Sequence, residues 1–317
     1  MMPVVSVVTI FLDAERFLDE AVESVVAQSF QDWELLLVDD GSTDRSGATA
    51  RAWARRHPDR IRYLAHLGGE NRGMSASRNL GIAHARGNLL AFLDADDVWL
   101  PGKLAAQLAL AAAHPEVGMV CGPTQYWHSW REDAEDRQDE LRGIGVPGEA
   151  VVNPPQLLTG MLRERINTPA TCSVLLRREA VASVGGFEES FRGMFEDRAF
   201  FAKIYRTFPV YVAGSWHDRY RQHDDSACAR AVRAGTFDPA DLSPAHEAFL
   251  VWVDGYLRRV GERRADVWAA MDAALWPYRH PRRARLRRLR HRGRSWAGRW
   301  RRRVTGRREP AGSGVAG

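Results

Sequence analysis

Apolar residues occur in two patterns along the first sixty positions of the chain. Continuous β-branched and apolar runs at residues 4–10 and 33–38 predict buried strands. Between them, apolar residues within 17–26 recur at helical spacing and predict an amphipathic helix. After the second strand Gly41 permits a tight turn, and Ser42 or Thr43 is expected to cap a helix that runs to about residue 57. This alternation of strand and helix is typical of a parallel sheet.

The same rhythm continues to residue 121 and places one strand immediately before an acidic turn. The predicted elements are a weaker strand at 61–64, a glycine-rich loop at 68–73, a helix at 74–85, a strand at 89–93, a helix from Pro101 and a strand at 117–121. We therefore expect an α/β domain with a mostly parallel central sheet flanked by helices.

The pattern is less regular beyond residue 121. The polar segment 125–150 is expected to be an insertion or a mobile loop. Further strands are predicted at 171–176, 210–213 and 216–220. Further helices are predicted from 178, at 198–206, at 249–260 and at 265–275. We predict a catalytic domain over 1–235, with a donor half at 1–122 and an acceptor half at 123–235, then a helical extension at 236–278 and a partly disordered basic tail at 279–317.

Charge is distributed unevenly along the chain. The 317 residues carry a net charge of +5, but residues 279–317 contain fifteen arginines and one acid, or +14, which leaves 30 − 39 = −9 for the first 278 residues. Tryptophans accompany these arginines, a composition that suits contact with anionic lipid. Nucleic-acid binding, which we do not expect, and a solvated tail are the alternatives.

The spacing of the cysteines and the length of the apolar runs indicate the cellular compartment of the protein. Cys121, Cys172 and Cys228 are widely spaced and predict neither a disulfide framework nor a zinc site. The N-terminal residues lack the pattern of a signal peptide, and no apolar run reaches eighteen residues. We expect a cytoplasmic protein. Its basic tail could in addition attach it peripherally to the inner face of the cell membrane.

Carboxylates follow three of the predicted segments. Asp39 and Asp40 end the second strand, 94–97 (DADD) follow the strand at 89–93, and Glu196-Asp197 precede a helix. Because parallel strands end at one edge of a sheet, these groups are expected to share a crevice. Closely spaced carboxylates suit Mg²⁺ or Mn²⁺ together with phosphate oxygens. The alternative for any one of them is a polar turn that begins a helix.

With these motifs in order, the chain resembles the family 2 glycosyltransferases, inverting enzymes of the nucleotide-diphospho-sugar transferase type with the Rossmann-like GT-A fold. The likeness spans roughly residues 4–225. It rests on VVTIFLDAERFL at 7–18, VDDGSTD at 38–44, NRGMSASRNLG at 71–81, FLDADD at 92–97 and ED at 196–197.

The resemblance implies a base-binding region formed by Asp13, Glu15 and Asp40. A carboxylate there could accept the ring N–H of a pyrimidine. Relatives often have Pro and then Tyr-Asn or Phe-Asn in the first loop, where this chain has residues 10–13 (IFLD). The alternative for Asp13 and Glu15 is that they begin the following helix.

The resemblance also places Asn71, Arg72 and Arg78 on the donor side of the site. Amide donors and guanidinium groups complement ribose and diphosphate oxygens. Arg78 falls inside a predicted helix, where a solvated helix face is the alternative.

The family's D-x-D motif corresponds to Asp94 and Asp96. The resemblance implies that Asp96 binds a divalent metal, Mn²⁺ or Mg²⁺, and that Asp94 contacts ribose or orders the metal's waters. His223 resembles a late histidine that in some relatives ligates the metal or contacts the diphosphate; a structural histidine is the alternative.

Glu196-Asp197 matches the acidic pair that supplies the family's catalytic base. We assign Asp197, with Glu196 as the second candidate, to removing the proton of an acceptor hydroxyl as its oxygen attacks the anomeric carbon. The alternative is that the pair only begins a helix.

The expected activity is metal-dependent, inverting sugar transfer from a nucleotide-diphosphate donor to a hydroxyl acceptor in cell-envelope, lipid-linked or glycoconjugate synthesis. Uridine donors are expected from the resemblance only. The alternative is a non-catalytic, transferase-like binding protein that its tail tethers to membrane or nucleic acid. A hydrolase is disfavoured because the sequence shows no nucleophile elbow or phosphate loop.

Overall fold

The computed structural model describes residues 3–131, 138–236 and 243–284. Within these ranges the structure has twelve β-strands, eight in a central sheet and four in a smaller one. The strands are β1 (Val5–Phe11), β2 (Trp33–Asp39), β3 (Ile61–Ala65), β4 (Leu89–Phe92), β5 (Val98–Trp99), β6 (Met119–Cys121), β7 (Thr124–Trp127), β8 (Glu140–Arg142), β9 (Ala150–Val152), β10 (Leu175–Arg177), β11 (Val210–Val212) and β12 (Asp218–Arg221). The order in the central sheet is β3-β2-β1-β4-β10-β6-β11-β9.

Ten α-helices surround these strands within the described ranges. They are α1 (Leu18–Val26), α2 (Ser46–Arg56), α3 (Met74–His84), α4 (Lys103–Ala113), α5 (Gln156–Leu162), α6 (Arg178–Ser183), α7 (Glu196–Thr207), α8 (Ala227–Arg233), α9 (Pro244–Arg259) and α10 (Ala265–Arg279), with 3-10 turns at Leu67–Gly69 and Thr171–Ser173.

The first half of the sheet is parallel, with β1 between β2 and β4 and β3 at the edge. Alternate residues of β1 pack on opposite faces: Val7 belongs to one hydrophobic cluster and Val8 to the other. Burial on both faces explains why these strands are mainly apolar rather than strictly alternating, and the buried Ser6 of β1 donates to the buried Glu34 of β2 at 2.6 Å. It also brings the ends of β1, β2 and β4 to the same edge.

The second half of the sheet is mixed. β10 pairs antiparallel with β4 and β6, β11 is parallel to β6, and β9 is antiparallel to β11. The predicted α/β fold with a mostly parallel sheet flanked by helices is confirmed. The division into catalytic halves and an extension stays a prediction.

The segment 125–150 corrects the expectation of an insertion or mobile loop. β7 and β8 pair antiparallel, and β7 lies parallel to β12, which also pairs with β5. These four strands form a second, smaller sheet. The strands are short and partly polar, so local periodicity does not reveal them, and pairing with β12, about ninety positions away, defines them. Residues 132–137 lie outside the described residues.

The cap predicted for α2 is also wrong. The helix begins at Ser46, with Arg45 at its N-cap position, and neither Ser42 nor Thr43 caps it. Instead Asp44 Oδ1 accepts the backbone N–H of Ser46 at 2.9 Å. Asp44 lies closer to the first residue of the helix than Ser42 or Thr43 does, so its carboxylate, rather than their hydroxyls, accepts this N–H.

The helices α9 and α10 pack on the same core as the sheet. Phe249, Val253 and Leu257 of α9 and Met271 of α10 are fully buried in the cluster that also contains α7 residues. No helix in the three described ranges is long and apolar enough to cross a bilayer. Most of the predicted basic tail, residues 285–317, lies outside the described residues.

Candidate active site

The turn after β4 directs two carboxylates outward and one inward. The side chains of Asp94 and Asp96 are 27% and 28% exposed, whereas Asp97 is 1% exposed. Asp97 Oδ1 accepts the backbone N–H of Arg221 at 3.0 Å. Burial, with the nearby charges of Asp96 and Asp94, raises the pKa of the Asp97 carboxyl well above its usual value. Asp97 thus anchors the turn from inside and leaves the other two carboxylates at the surface of the crevice.

Arg78 on α3 connects this turn to the start of α7. Its Nη2 donates to Asp94 Oδ1 at 2.8 Å, and its Nη1 donates to Glu196 Oε1 at 3.3 Å. Burial alone would lower the pKa of Arg78, but the two carboxylates outweigh it and raise that pKa. Since Arg78 is only 2% exposed, the alternative of a solvated helix face is wrong.

The acidic pair occupies the first turn of α7. Glu196 is buried, whereas Asp197 is partly exposed and accepts the backbone N–H of Arg198 at Oδ1, at 2.6 Å. Burial, reinforced by the charge of Asp197 and opposed by Arg78, raises the pKa of Glu196 to about 7. Burial also raises the pKa of Asp197, which the hydrogen bond from Arg198 partly offsets. Two adjacent carboxyls in different environments are typical of acid–base sites.

His223 lies beside the second aspartate of the turn. Its Nε2 is 2.9 Å from Asp96 Oδ2, and its Nδ1 is buried without a hydrogen-bond partner among the described residues. Adjacent ligands of an octahedral ion at ~2.1 Å lie about 3 Å apart, so these two atoms could bind one Mg²⁺ or Mn²⁺. Within the described ranges no three His, Cys, Asp or Glu side chains form a metal cluster. Two protein ligands would leave positions on the ion for waters and for substrate phosphate oxygens.

Arg221 holds the segment that carries His223, and sequence reasoning did not assign it. Its buried guanidinium lies 4.8, 4.4 and 5.0 Å from the ring centres of Phe17, Trp127 and Trp130. Its Nε donates to the carbonyl oxygen of Asp96 at 2.7 Å. The only sequence signal was the pair of tryptophans in an otherwise polar segment.

Asp40 at the end of β2 holds the loop before α3. It is 4% exposed, and its carboxylate accepts the backbone N–H groups of Arg72, at 2.8 Å, and Gly73, at 3.0 Å. Ser77 Oγ also donates to it, at 2.9 Å. The acceptor atoms of Asp40 are thus used within the protein, and the side chain of Arg72 is left exposed.

Asp13 and Glu15 hold the first loop to the turn after β2. Asp13 Oδ1 accepts the N–H of Thr43 at 2.7 Å, Ser42 Oγ accepts the N–H of Asp13 at 3.1 Å, and Glu15 Oε2 accepts the N–H of Arg45 at 3.1 Å. α1 begins only at Leu18, without a side-chain cap. The alternative that these acids begin that helix is therefore wrong.

Asn71 contacts a second residue that the sequence did not single out. Arg192 Nη2 donates to the Asn71 backbone oxygen at 2.9 Å and to its Oδ1 at 3.2 Å. Both side chains are exposed, and they join the loop before α3 to the loop before α7. The structure thus brings the predicted residues together in three sets: Asp13 and Glu15 on the β2 turn, Asp40 with the 71–73 loop, and Arg78, Asp94 and Glu196 beside the Asp96–His223 pair.

Comparison with known sequences identifies similar proteins. The sequence model of glycosyl transferase family 2 matches residues 6–185. A putative glycosyltransferase of Bacillus subtilis, EpsE, is 38% identical over 118 residues, 37% of this chain and 42% of that protein. An uncharacterized glycosyltransferase of Rickettsia conorii is 38% identical over 222 residues, 70% of this chain and 34% of that protein. The chain spans less than half the length of these relatives.

Comparison with solved structures supports the fold. Staphylococcus aureus TarS 1-349 in complex with UDP-GlcNAc superposes with a TM-score of 0.62 at 16% identity, covering 86% of this chain and 71% of that one. The mannosyltransferase PcManGT of Pyrobaculum calidifontis, in complex with GDP-Man and Mn²⁺, gives 0.53 at 18% identity, with coverage of 93% and 83%. At these identities the likeness concerns the fold alone.

Proposed function

Because the chain belongs to glycosyl transferase family 2, we propose that it transfers a sugar from a nucleotide-diphosphate donor to a hydroxyl acceptor with inversion. The observation that carries this proposal is the Asp94–Arg78–Glu196 network, in which the buried guanidinium of Arg78 pairs with both carboxylates. It connects the turn expected to face the donor with the acidic pair expected to activate the acceptor.

The donor end of the site would lie along the ends of β1, β2 and β4. Asp13 and Glu15 would shape the base pocket by holding two loops together, since their carboxylates accept backbone N–H groups of the neighbouring turn. Asp40 would act similarly on the 71–73 loop, whose exposed Asn71 and Arg72 side chains could reach ribose and phosphate oxygens. We propose a uridine donor; the structural relative TarS was solved with UDP-GlcNAc, and PcManGT with GDP-Man.

Asp96 and His223 are the residues that would hold a divalent metal, with Asp94 ordering its waters or contacting ribose. When bound, Mn²⁺ or Mg²⁺ would neutralise charge that builds on the departing nucleotide diphosphate. Support comes from the 2.9 Å separation of the two ligand atoms and from the Mn²⁺ in PcManGT. Arg78 would hold Asp94 in place rather than contact the diphosphate itself, because its guanidinium is buried between the carboxylates of Asp94 and Glu196.

Asp197 would act as the general base. It is the more exposed member of the acidic pair, so an acceptor hydroxyl could reach it. As the acceptor oxygen forms its bond to the anomeric carbon, the bond from that carbon to the diphosphate breaks, and the acceptor proton passes to the carboxylate. A single displacement inverts the anomeric centre. Glu196 would tune this base through its own charge and its contact with Arg78.

The acceptor is proposed to be a cell-envelope glycan or a lipid-linked precursor. Matching relatives include a putative teichuronic acid biosynthesis glycosyltransferase of Bacillus subtilis, 38% identical over 106 residues. Another is the O-antigen biosynthesis protein RfbC of Myxococcus xanthus, 35% identical over 194 residues. We place the enzyme in the cytoplasm, where its basic tail could contact anionic lipid that carries such an acceptor.

A panel of UDP-, GDP- and dTDP-sugars tests the proposal, with Mn²⁺, Mg²⁺ or chelator and with release of nucleotide diphosphate as the readout. We expect metal-dependent release from at least one donor, and UDP-sugars first. Calorimetry with UDP and GDP, with and without Mn²⁺, distinguishes the alternative of a non-catalytic protein. Absence of both turnover and metal-dependent nucleotide binding would contradict the proposal.

A further inference from the structure

Phe195 precedes the acidic pair in an unfavourable backbone conformation. Its φ of 74° and ψ of 11° lie in the left-handed region, which a bulky residue rarely adopts. Phe195 occupies the N-cap position of α7, so its backbone sets the direction in which the first turn leaves the preceding loop. Such a conformation persists only where the surroundings hold it.

Aromatic stacking from α9 supplies that support. The Phe195 ring is 7% exposed and lies 5.4 Å from the ring centres of both His246 and Phe249, at interplanar angles of 20° and 14°. The Arg198 guanidinium lies 5.4 Å from the Phe195 ring and 5.2 Å from that of Phe249. The Phe195 ring is thus held by the rings of His246 and Phe249 and by the guanidinium of Arg198, which also lies over the Phe249 ring.

The stacking partner His246 is itself held in place from two sides. Its Nδ1 lies 2.9 Å from the hydroxyl of Tyr278 on α10. Its backbone N–H donates to Ser243 Oγ, the N-cap of α9, at 3.2 Å. Because α9 and α10 are joined at this ring, the support for Phe195 comes from the helical pair as a unit.

We propose that α9 and α10 position the catalytic acidic pair through the stack of Phe195, His246 and Phe249. This inference rests on the proposed function, and it assigns a role to helices that lie beyond residue 185, where the family match ends. The three aromatic residues are positioning residues, since they act through the backbone of Glu196 and Asp197. If Phe195 relaxed to negative φ, the first turn of α7 would swing away from Arg78, which now lies 3.3 Å from Glu196.

The first test replaces Phe249 by Leu, which removes one of the two rings that stack on Phe195 and keeps an apolar side chain. The matched control is Leu257→Ala, a buried position about 12 Å further along the same helix. We expect Phe249→Leu to lower kcat by roughly ten- to a hundredfold, because small displacements of reacting groups are costly. The donor KM and the calorimetric affinity for UDP should change by less than about threefold, whereas Leu257→Ala should lower the melting temperature and leave kcat near that of the wild type.

A second pair of variants isolates the backbone conformation. Phe195→Gly removes the ring and makes the left-handed conformation accessible without strain, whereas Phe195→Ala removes the ring and keeps the penalty. We expect kcat to fall more in Phe195→Ala than in Phe195→Gly. Equal kcat values for these two variants, or a kcat for Phe249→Leu within about twofold of the Leu257→Ala value, would overturn the proposal.

Amide hydrogen exchange provides a readout that does not depend on activity. Peptides that cover the first turn of α7 should exchange faster in Phe249→Leu and in Phe195→Ala than in the wild type, and unchanged protection in both would overturn the positioning role. If the wild type transferred no sugar from any donor, the proposed function would fail, while the exchange data would still decide whether the stack holds this turn.

Discussion

Arg78 carries a buried charge that two carboxylates share. Its guanidinium is paired with Asp94 on one side and Glu196 on the other, and its Nε has no hydrogen-bond partner among the described residues. Removing one partner of a buried ion pair costs more than the pair contributes, because the remaining charge is left uncompensated. The three residues therefore act as a unit, and substitutions at any of them affect the others.

Asp197→Asn tests the assignment of the base. The amide cannot take up a proton, so kcat should fall by roughly 10²- to 10⁴-fold. The affinity for UDP should change little, because Asp197 lies at the acceptor side of the proposed site. Steady-state kinetics and calorimetry measure the two quantities, and Asp272→Asn, an exposed site on α10, is the control. A kcat for Asp197→Asn close to that of this control would remove the assignment.

Glu196 should make stability depend on pH near neutrality. Its pKa rises from the ordinary value of 4.5 to about 7 in the folded protein, so protonation favours the folded state. This stabilisation is complete below pH 4.5 and is lost as pH rises through about 7. Urea unfolding of the wild type and of Glu196→Gln from pH 5 to 8 measures this effect. Only the wild type should lose the stabilisation as pH rises, so the free energy of unfolding of Glu196→Gln relative to that of the wild type should increase by on the order of 1 to 3 kcal/mol. A pH-independent difference would contradict this origin of the shift.

At the scale of elements, α3 packs closely enough on β1 to require a glycine. A β-carbon at Gly81 would lie 2.4 Å from Val8 Cγ1, on a β-branched side chain with little freedom to move. Gly81 lies one turn from Arg78 on the same helix. The close approach of helix and strand thus determines how far the guanidinium reaches toward Asp94.

Gly81→Ala should destabilise the protein by up to about 2 kcal/mol. Overpacking costs about 1 to 3 kcal/mol of stability, and the higher helix propensity of alanine offsets up to about 1 kcal/mol of this cost. Adding Val8→Ala should relieve the clash, so the double variant should be more stable than the sum of the two single changes predicts. Denaturant unfolding of all four proteins measures this coupling. Additive free energies would show that the two side chains do not clash.

At the scale of the whole molecule, the acidic body and the basic C-terminal segment carry opposite charge. Residues 279–317 contribute +14 and the preceding 278 residues −9. A basic segment near an anionic surface gains about 1 kcal/mol per cation, and this attraction weakens with salt. Membrane contact through this segment stays a prediction.

The full chain should co-sediment with phosphatidylserine vesicles and not with phosphatidylcholine vesicles. A chain that ends at Ala284 retains every residue of α10 and should lose most of this binding. Raising the salt from 0.05 to 0.5 M should release the full chain, because screening reduces the attraction. If the full chain bound duplex DNA in preference to the vesicles, or if the shortened chain bound vesicles equally well, the membrane prediction would be wrong.

The strands and helices of the first half were predictable because their apolar periods are local. β1, β2 and β4 are mainly apolar runs, and the positions of the acids that follow them can be read directly from the chain order. The small sheet was not predictable, since β7 and β12 are short and pair across about ninety residues. The roles of Arg221 and Phe195 were also not accessible, because each depends on contacts with distant elements.

The sequence by itself determined the fold class and the candidate residues, because burial periodicity and motif order are properties of neighbouring positions. Only the tertiary structure decided what each side chain contacts. It showed Asp13, Glu15 and Asp40 bonded to backbone N–H groups, and Arg78 buried between two carboxylates. The physical reason is that pKa, burial and hydrogen bonding depend on residues brought together by packing, and sequence distance does not report that proximity.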